Sequence, residues 1–119
     1  MTPTTLVTGA RASLREAAIA AALAPGVATA IIVEGLSDGN SALVDLVGPQ
    51  IVRIAPGCLC CAGNMILRVT LNRLLRRPPE QLFISLANGA HIDPLRSFLS
   101  QAPYDRLLRL DVDMAVGSP

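Results

Sequence analysis

Short apolar, β-rich runs alternate with segments of helical period four times along this chain, and the connections between them are short. That alternation constrains the fold more than any other feature, because strands joined through helices lie parallel and are covered by helices on both faces. Residues 4–9, Thr-Thr-Leu-Val-Thr-Gly, form a first strand ending at glycine. Ser13 then offers an N-cap with Glu16 three residues on, the capping-box spacing, and predicts a helix over 14–24. Pro25 and Gly26 stop it. Residues 27–33 read as a buried strand, 34–41 as a loop of turn formers, and Ser41 as the cap of a short helix over 42–47. A third strand covers 50–55. Residues 65–77 place Arg68, Asn72 and Arg76 at helical spacing with Arg73 and Arg77 beside them, until Pro78-Pro79 ends the segment. A fourth strand over 81–87, a fourth helix over 94–101 and a fifth strand over 106–112 complete an α/β/α three-layer domain with a mostly parallel sheet of about five strands.

In such sheets the loops after the strands gather at the carboxyl edge, where ligands bind. Residues 9–13, 57–63 and 88–93 all fall there. At 119 residues the chain reads as one domain. It is 51% hydrophobic, and all ten basic residues are arginines, set against nine acids. That balance calls for no nucleic-acid or membrane partner. Residues 17–33 are uncharged throughout, but Pro25-Gly26 interrupts them, so they read as a buried helix, a turn and a buried strand. Aromatic residues are 3% of the chain, which leaves the core to small aliphatic side chains.

All three cysteines, Cys58, Cys60 and Cys61, lie within four positions. An odd, clustered set cannot staple distant loops, so the thiols point to a reducing, cytoplasmic setting. Thiolates at this spacing can converge on a soft or borderline ion, with Zn²⁺ the default, but clustered thiols also serve in redox chemistry or as packing residues. A closed zinc site takes four ligands. His91, the only histidine, is the candidate for the fourth, with Asp93 and Glu34 as oxygen donors whose ordinary roles are helix capping and surface charge. The arginine-rich segment at 65–77 contains no acid. It suits an acidic partner or a solvated helix face, and without neighbouring aromatics it does not suit bases.

The run Gly57-Cys58-Leu59-Cys60-Cys61, after a strand and before a helix in a chain that starts Leu6-Val7-Thr8-Gly9, resembles the Gly-Cys-x-Cys-Cys motif of the CobW-type P-loop GTPases, metallochaperones related in fold to HypB and UreG. Residues 88–94, Asn-Gly-Ala-His-Ile-Asp-Pro, resemble the segment that ends a later strand of that family. The resemblance implies a single CobW-like N-terminal domain over 1–119, without the guanine-reading Asn-Lys-x-Asp motif and the C-terminal domain. It also implies a metal site at Cys58, Cys60 and Cys61, a metal-receiving partner or homodimer, and a phosphate loop beginning at Gly9.

That loop departs from the pattern. A P-loop reads Gly-x4-Gly-Lys-Ser/Thr, in which glycine admits phosphate to the backbone amides, lysine bridges the phosphates and the hydroxyl holds Mg²⁺. Counted from Gly9, this chain places Leu14, Arg15 and Glu16 at those last three positions. Gly9, Ser13 and Arg15 are what remains of a phosphate site, and the strand at 81–87 ends without the family's acid, Asp93 being the nearest. These residue types argue against GTP and Mg²⁺ as cofactors and against GTP hydrolysis. The expectation is a metal-binding relative. A GTP-binding metallochaperone with an atypical loop and an interaction module with structural cysteines are the alternatives.

Overall fold

The computed structural model describes residues 1–35, 43, 48–54, 65–87 and 89–116. Strands β1 (Thr2–Thr8), β2 (Thr29–Glu34), β3 (Gln50–Ile54), β4 (Gln81–Ser85), β5 (Leu108–Leu110) and β6 (Met114–Ala115) form one sheet in the order β3-β2-β4-β1-β5, with β6 also pairing with β1. Every pairing is parallel. Helices α1 (Ala12–Ala22), α2 (Met65–Leu74), α3 (Ile92–Leu99) and α4 (Tyr104–Leu107) flank it. The α/β architecture read from the alternation is thus present, with a two-residue sixth strand and a one-turn α4 added.

Period-two alternation divides the buried side chains between the faces. Leu6, Ala30, Ile32, Leu82 and Ile84 point to one side and share a core with Leu67, Leu71 and Leu74 of α2 and Leu95 and Leu99 of α3. Val7, Ile31, Val33 and Phe83 point to the other, where they cluster with Ile19 of α1 and Leu43. The spacings 67/71/74 and 95/99 are those that put residues on one side of a helix. All six residues of β2 are buried, as befits a parallel strand covered on both faces. The uncharged stretch 17–33 is accordingly most of α1, a turn at Gly26 and most of β2. No helix among the described residues is long and apolar enough to cross a membrane.

Several boundaries differ from the sequence reading. The capping box is not formed: α1 starts at Ala12 after Arg11 and has no side-chain cap, because Glu16 is drawn into an ion pair with Arg53. The second helix ends at Leu74, and 75–77 continue as a turn. The third begins at Ile92 rather than Pro94, since a proline in the first turn removes only an N–H that has no helical partner. The fifth strand keeps Leu108–Leu110 of the expected 106–112 because Tyr104–Leu107 coil into α4, whose Tyr104 hydroxyl donates to Asn72 Oδ1 at 2.9 Å. Burial pushes the Tyr104 phenol above its ordinary range, and nearby Arg68 offsets part of that rise. The helix expected over 42–47 lies outside the described residues, apart from Leu43.

Candidate functional site

The site lies at the carboxyl edge, where β1, β2 and β4 end side by side. Val7 and Val33 both register with Ser85, so the chain leaves three adjacent strands at one level. After β1 it turns through Gly9 at φ +151° and enters α1, whose first turns carry Arg15 and Glu16 back over the strand ends. Both are buried, as are Glu34 at the end of β2 and Ser85 at the end of β4.

Buried charges are tolerated only where they are paired and hydrogen-bonded, and each of these is. The Arg15 guanidinium donates from Nε to Ser85 Oγ at 2.9 Å and from Nη1 to the Gly9 carbonyl at 2.5 Å. Burial holds it below the ordinary arginine range, and the nearby Glu16 and Glu34 carboxylates offset part of that cost. Glu16 accepts from Arg53 Nη2 of β3 at 2.7 Å. Glu34 accepts the Ala87 backbone N–H at 2.8 Å, tying the end of β2 to the chain leaving β4. One cation therefore bridges the first loop to the central strands, and the Glu16 and Glu34 carboxylates lie near it.

The C-terminal segment closes over this arrangement. Met114 and Ala115 pair with Val7 and Thr8, the Val116 N–H donates to the Thr8 carbonyl at 2.9 Å, and Arg96 of α3 pairs with Asp113. Val116 rests on Gly9 so closely that a Cβ there would lie 2.5 Å from the Val116 carbonyl oxygen and 2.8 Å from its Cγ2. Gly9 is therefore required twice, by its φ and by this contact. Gly9→Ala is expected to push β6 off β1, read as faster amide exchange at Val116 while amides of β2 and β4 keep their protection.

Across 6–116 the chain matches the family model described as CobW/HypB/UreG, nucleotide-binding domain. The chain belongs to the CobW/HypB/UreG family. Comparison with curated proteins and with solved structures finds no match.

Of the three residues read from the sequence as a phosphate loop, Gly9 lies between β1 and α1, whereas Ser13 and Arg15 stand in the first turns of α1. Gly9 and Arg15 bond to each other, whereas Ser13 sits exposed on the first turn of α1. The Arg15 guanidinium is engaged by Ser85 and the Gly9 carbonyl, and the neighbouring Glu16 carboxylate is paired with Arg53. Glu34, expected as an oxygen donor or as a capping or surface charge, is fully buried and accepts the Ala87 backbone N–H beyond β4. Asp93 is exposed in the first turn of α3, where it complements the helix dipole.

Cys58, Cys60 and Cys61 lie outside the described residues, in the sequence between β3 and α2. Among the described residues, no group of three or more His, Cys, Asp or Glu side chains is arranged to hold a metal ion. His91 ends a single 3₁₀ turn, Gly89–His91, and its Nδ1 is buried without a hydrogen-bond partner among the described residues. That turn belongs to the same edge, since a Cβ on Gly89 would stand 3.9 Å from Thr8 Cβ.

Sequence reasoning missed Ser85, Arg53 and Val116. A small polar residue ending an otherwise apolar strand was the available signal for Ser85, and an arginine inside a five-residue strand was the signal for Arg53. For Val116 nothing local gave notice.

Proposed function

We propose that this chain is a metal-binding member of the CobW/HypB/UreG family that acts without a GTP switch, with Cys58, Cys60 and Cys61 as thiolate donors and zinc as the default ion. One observation carries the second half of the reading: Arg15 and Glu16, at the positions of the phosphate-loop lysine and hydroxyl, spend their charge on Gly9, Ser85 and Arg53. A triphosphate entering there must break two arginine hydrogen bonds and approach a buried carboxylate, which repels it.

The metal half rests on donor chemistry. Three thiolates within four residues form a set that Zn²⁺ takes readily, and a fourth donor closes the tetrahedron. His91 suits that role by its ring nitrogen, buried and without a partner among the described residues, on the loop after β4. Thiols lose their protons on binding, so affinity rises with pH.

Untagged protein analysed for metal is expected to carry about one zinc per chain, the stoichiometry of a single tetrahedral site. The Cys58→Ser, Cys60→Ser, Cys61→Ser triple variant is expected to carry none, and His91→Ala is expected to bind zinc more weakly than wild type. Equal, substoichiometric metal in wild type and triple variant would overturn the metal reading. Calorimetric titration with GTP and Mg²⁺ is expected to give no heat of binding, and a micromolar dissociation constant would overturn the loss of the switch.

A further inference from the structure

The outward face of α2 is unlike any other described surface of this domain. Leu67, Leu71 and Leu74 turn into the core, which leaves Met65, Ile66 and Val69 at 68%, 49% and 49% exposure on the opposite side. One turn further on Arg73 continues the same stripe, and Arg76 follows in the turn after α2, so the face is apolar at its start and basic at its end. Three other arginines of the chain pair with acids: Arg53 with Glu16, Arg96 with Asp113 and Arg109 with Asp111. No acid stands within 65–79, and neither Arg73 nor Arg76 has an ion-pair partner among the described residues.

A shaped cleft lies on the flank of α2 that faces α3, apart from Arg73 and Arg76. Arg68 lies over the Phe98 ring, its guanidinium carbon 5.7 Å from the centroid, and Phe98 packs tilted against Tyr104 at 5.3 Å. Together with Asn72 and Gln101 these residues line a cavity of about 180 Å³. The cleft therefore offers a guanidinium held on an aromatic face and two amides, a donor set suited to a carboxylate side chain.

We propose that the outer face of α2 is a docking surface for an acidic amphipathic segment of a partner protein, whose apolar side chains cover Met65, Ile66 and Val69 and whose carboxylates meet Arg73 and Arg76. Charge complementarity selects this occupant. A second copy of the chain does not match, because the exposed acids of the described residues, Glu80, Asp93 and Asp105, are scattered singly along it. An anionic membrane matches less well, because an interfacial helix presents a continuous apolar stripe to lipid, and the larger apolar stripe of α2 is already committed to the core. The surface stands on α2 and the turn after it, and does not depend on the cysteines or on the metal reading.

The test uses the full chain and two labelled synthetic helical peptides of equal length and composition. One carries leucines at i and i+4 followed by a run of glutamates, and the other is a scramble of it. Fluorescence anisotropy is expected to show binding of the patterned peptide only, weakening as salt rises. Arg73→Glu or Val69→Ser is expected to weaken it about tenfold, in the range of a residue that contributes to an interface. Arg109→Glu, an equal charge change away from α2, is expected to leave it within about twofold, and matching thermal melts show that the variants fold. Equal binding of the scramble, equal loss with Arg109→Glu, or adsorption to phosphatidylserine vesicles with no binding of the patterned peptide would each overturn the proposal.

Discussion

Arg15→Met is expected to destabilise the domain by about 3–5 kcal/mol, the cost of removing one partner from a buried charge network. Methionine keeps much of the stem but leaves the Gly9 carbonyl and Ser85 Oγ without the donors that satisfy them. It also removes a cation near the buried Glu34 and Glu16 carboxylates. A loss of this size is a large part of the 5–15 kcal/mol or so that holds a typical domain together. It reads as a fall in urea midpoint at unchanged slope. Arg15→Lys should recover part of it, since an ammonium restores the charge but lacks the planar fork that reaches both acceptors. The double variant Arg15→Met, Glu34→Gln should cost less than the sum of its parts, because neutralising the carboxylate removes the charge that the arginine balanced. A change below about 0.5 kcal/mol for Arg15→Met, the range of an ordinary surface substitution, would show that the guanidinium does not bridge the first loop to β4.

This network lets the first turns of α1 bury an arginine and a glutamate at the strand ends. A buried arginine is a charge needing partners. Here the partners are internal: a backbone carbonyl of the loop, a hydroxyl at the end of β4 and two carboxylates nearby. The arginine's bond to the Gly9 carbonyl and the packing of Val116 on Gly9 both fix the first loop.

Much of the fold was legible because the strong signals were periodic. Strand β2 announces itself as an unbroken apolar run, α2 by leucines at 67, 71 and 74, and the parallel sheet by alternation alone. What escaped was decided at long range. Nothing near Glu16 in sequence distinguishes a helix cap from a partner for Arg53, 37 residues away, and nothing near Glu34 tells that Ala87 N–H will meet it. The local rule favoured a cap, but tertiary pairing of a buried carboxylate with a guanidinium outweighed the capping gain of about 1 kcal/mol. Strand β6 and helix α4 are too short for periodicity to register. They exist because β1 offers Val7 and Thr8 to Met114 and Ala115, and because Tyr104 finds Asn72. Of the candidate site, the gathering of strand ends at one edge was readable from the alternation, whereas the engagement of Arg15 with Gly9 and Ser85 was not.

The two faces of the sheet are not equally buttressed, and Phe83→Ala is expected to expose the difference. On the α2 and α3 side the core includes three leucines from one helix and two from the other. On the α1 side, Ile19 is the only fully buried apolar side chain that the helix contributes, and it meets Val7, Ile31, Val33, Leu43 and Phe83. Phe83 is the largest fully buried side chain among the described residues. In a core otherwise built of Val, Ile and Leu on this face, its ring has no bulky neighbour able to fill the space it would vacate, so truncation costs about 3–5 kcal/mol through lost transfer and a residual cavity. Phe83→Leu, which keeps most of the volume, should cost less than about 1.5 kcal/mol. The loss should also be local. Amides of α1 should exchange faster under native conditions while those of α2 and α3 stay protected, because the other core is intact. Since α1 carries Arg15 and Glu16, loosening it should weaken their hold on Ser85 and Arg53, and Phe83→Ala combined with Arg15→Met should then cost less than the two separately. Strict additivity, or equal loss of protection in α1 and α3, would mean that the two faces unfold as one unit and that the buried charges hold α1 in place independently of the apolar contact beneath it.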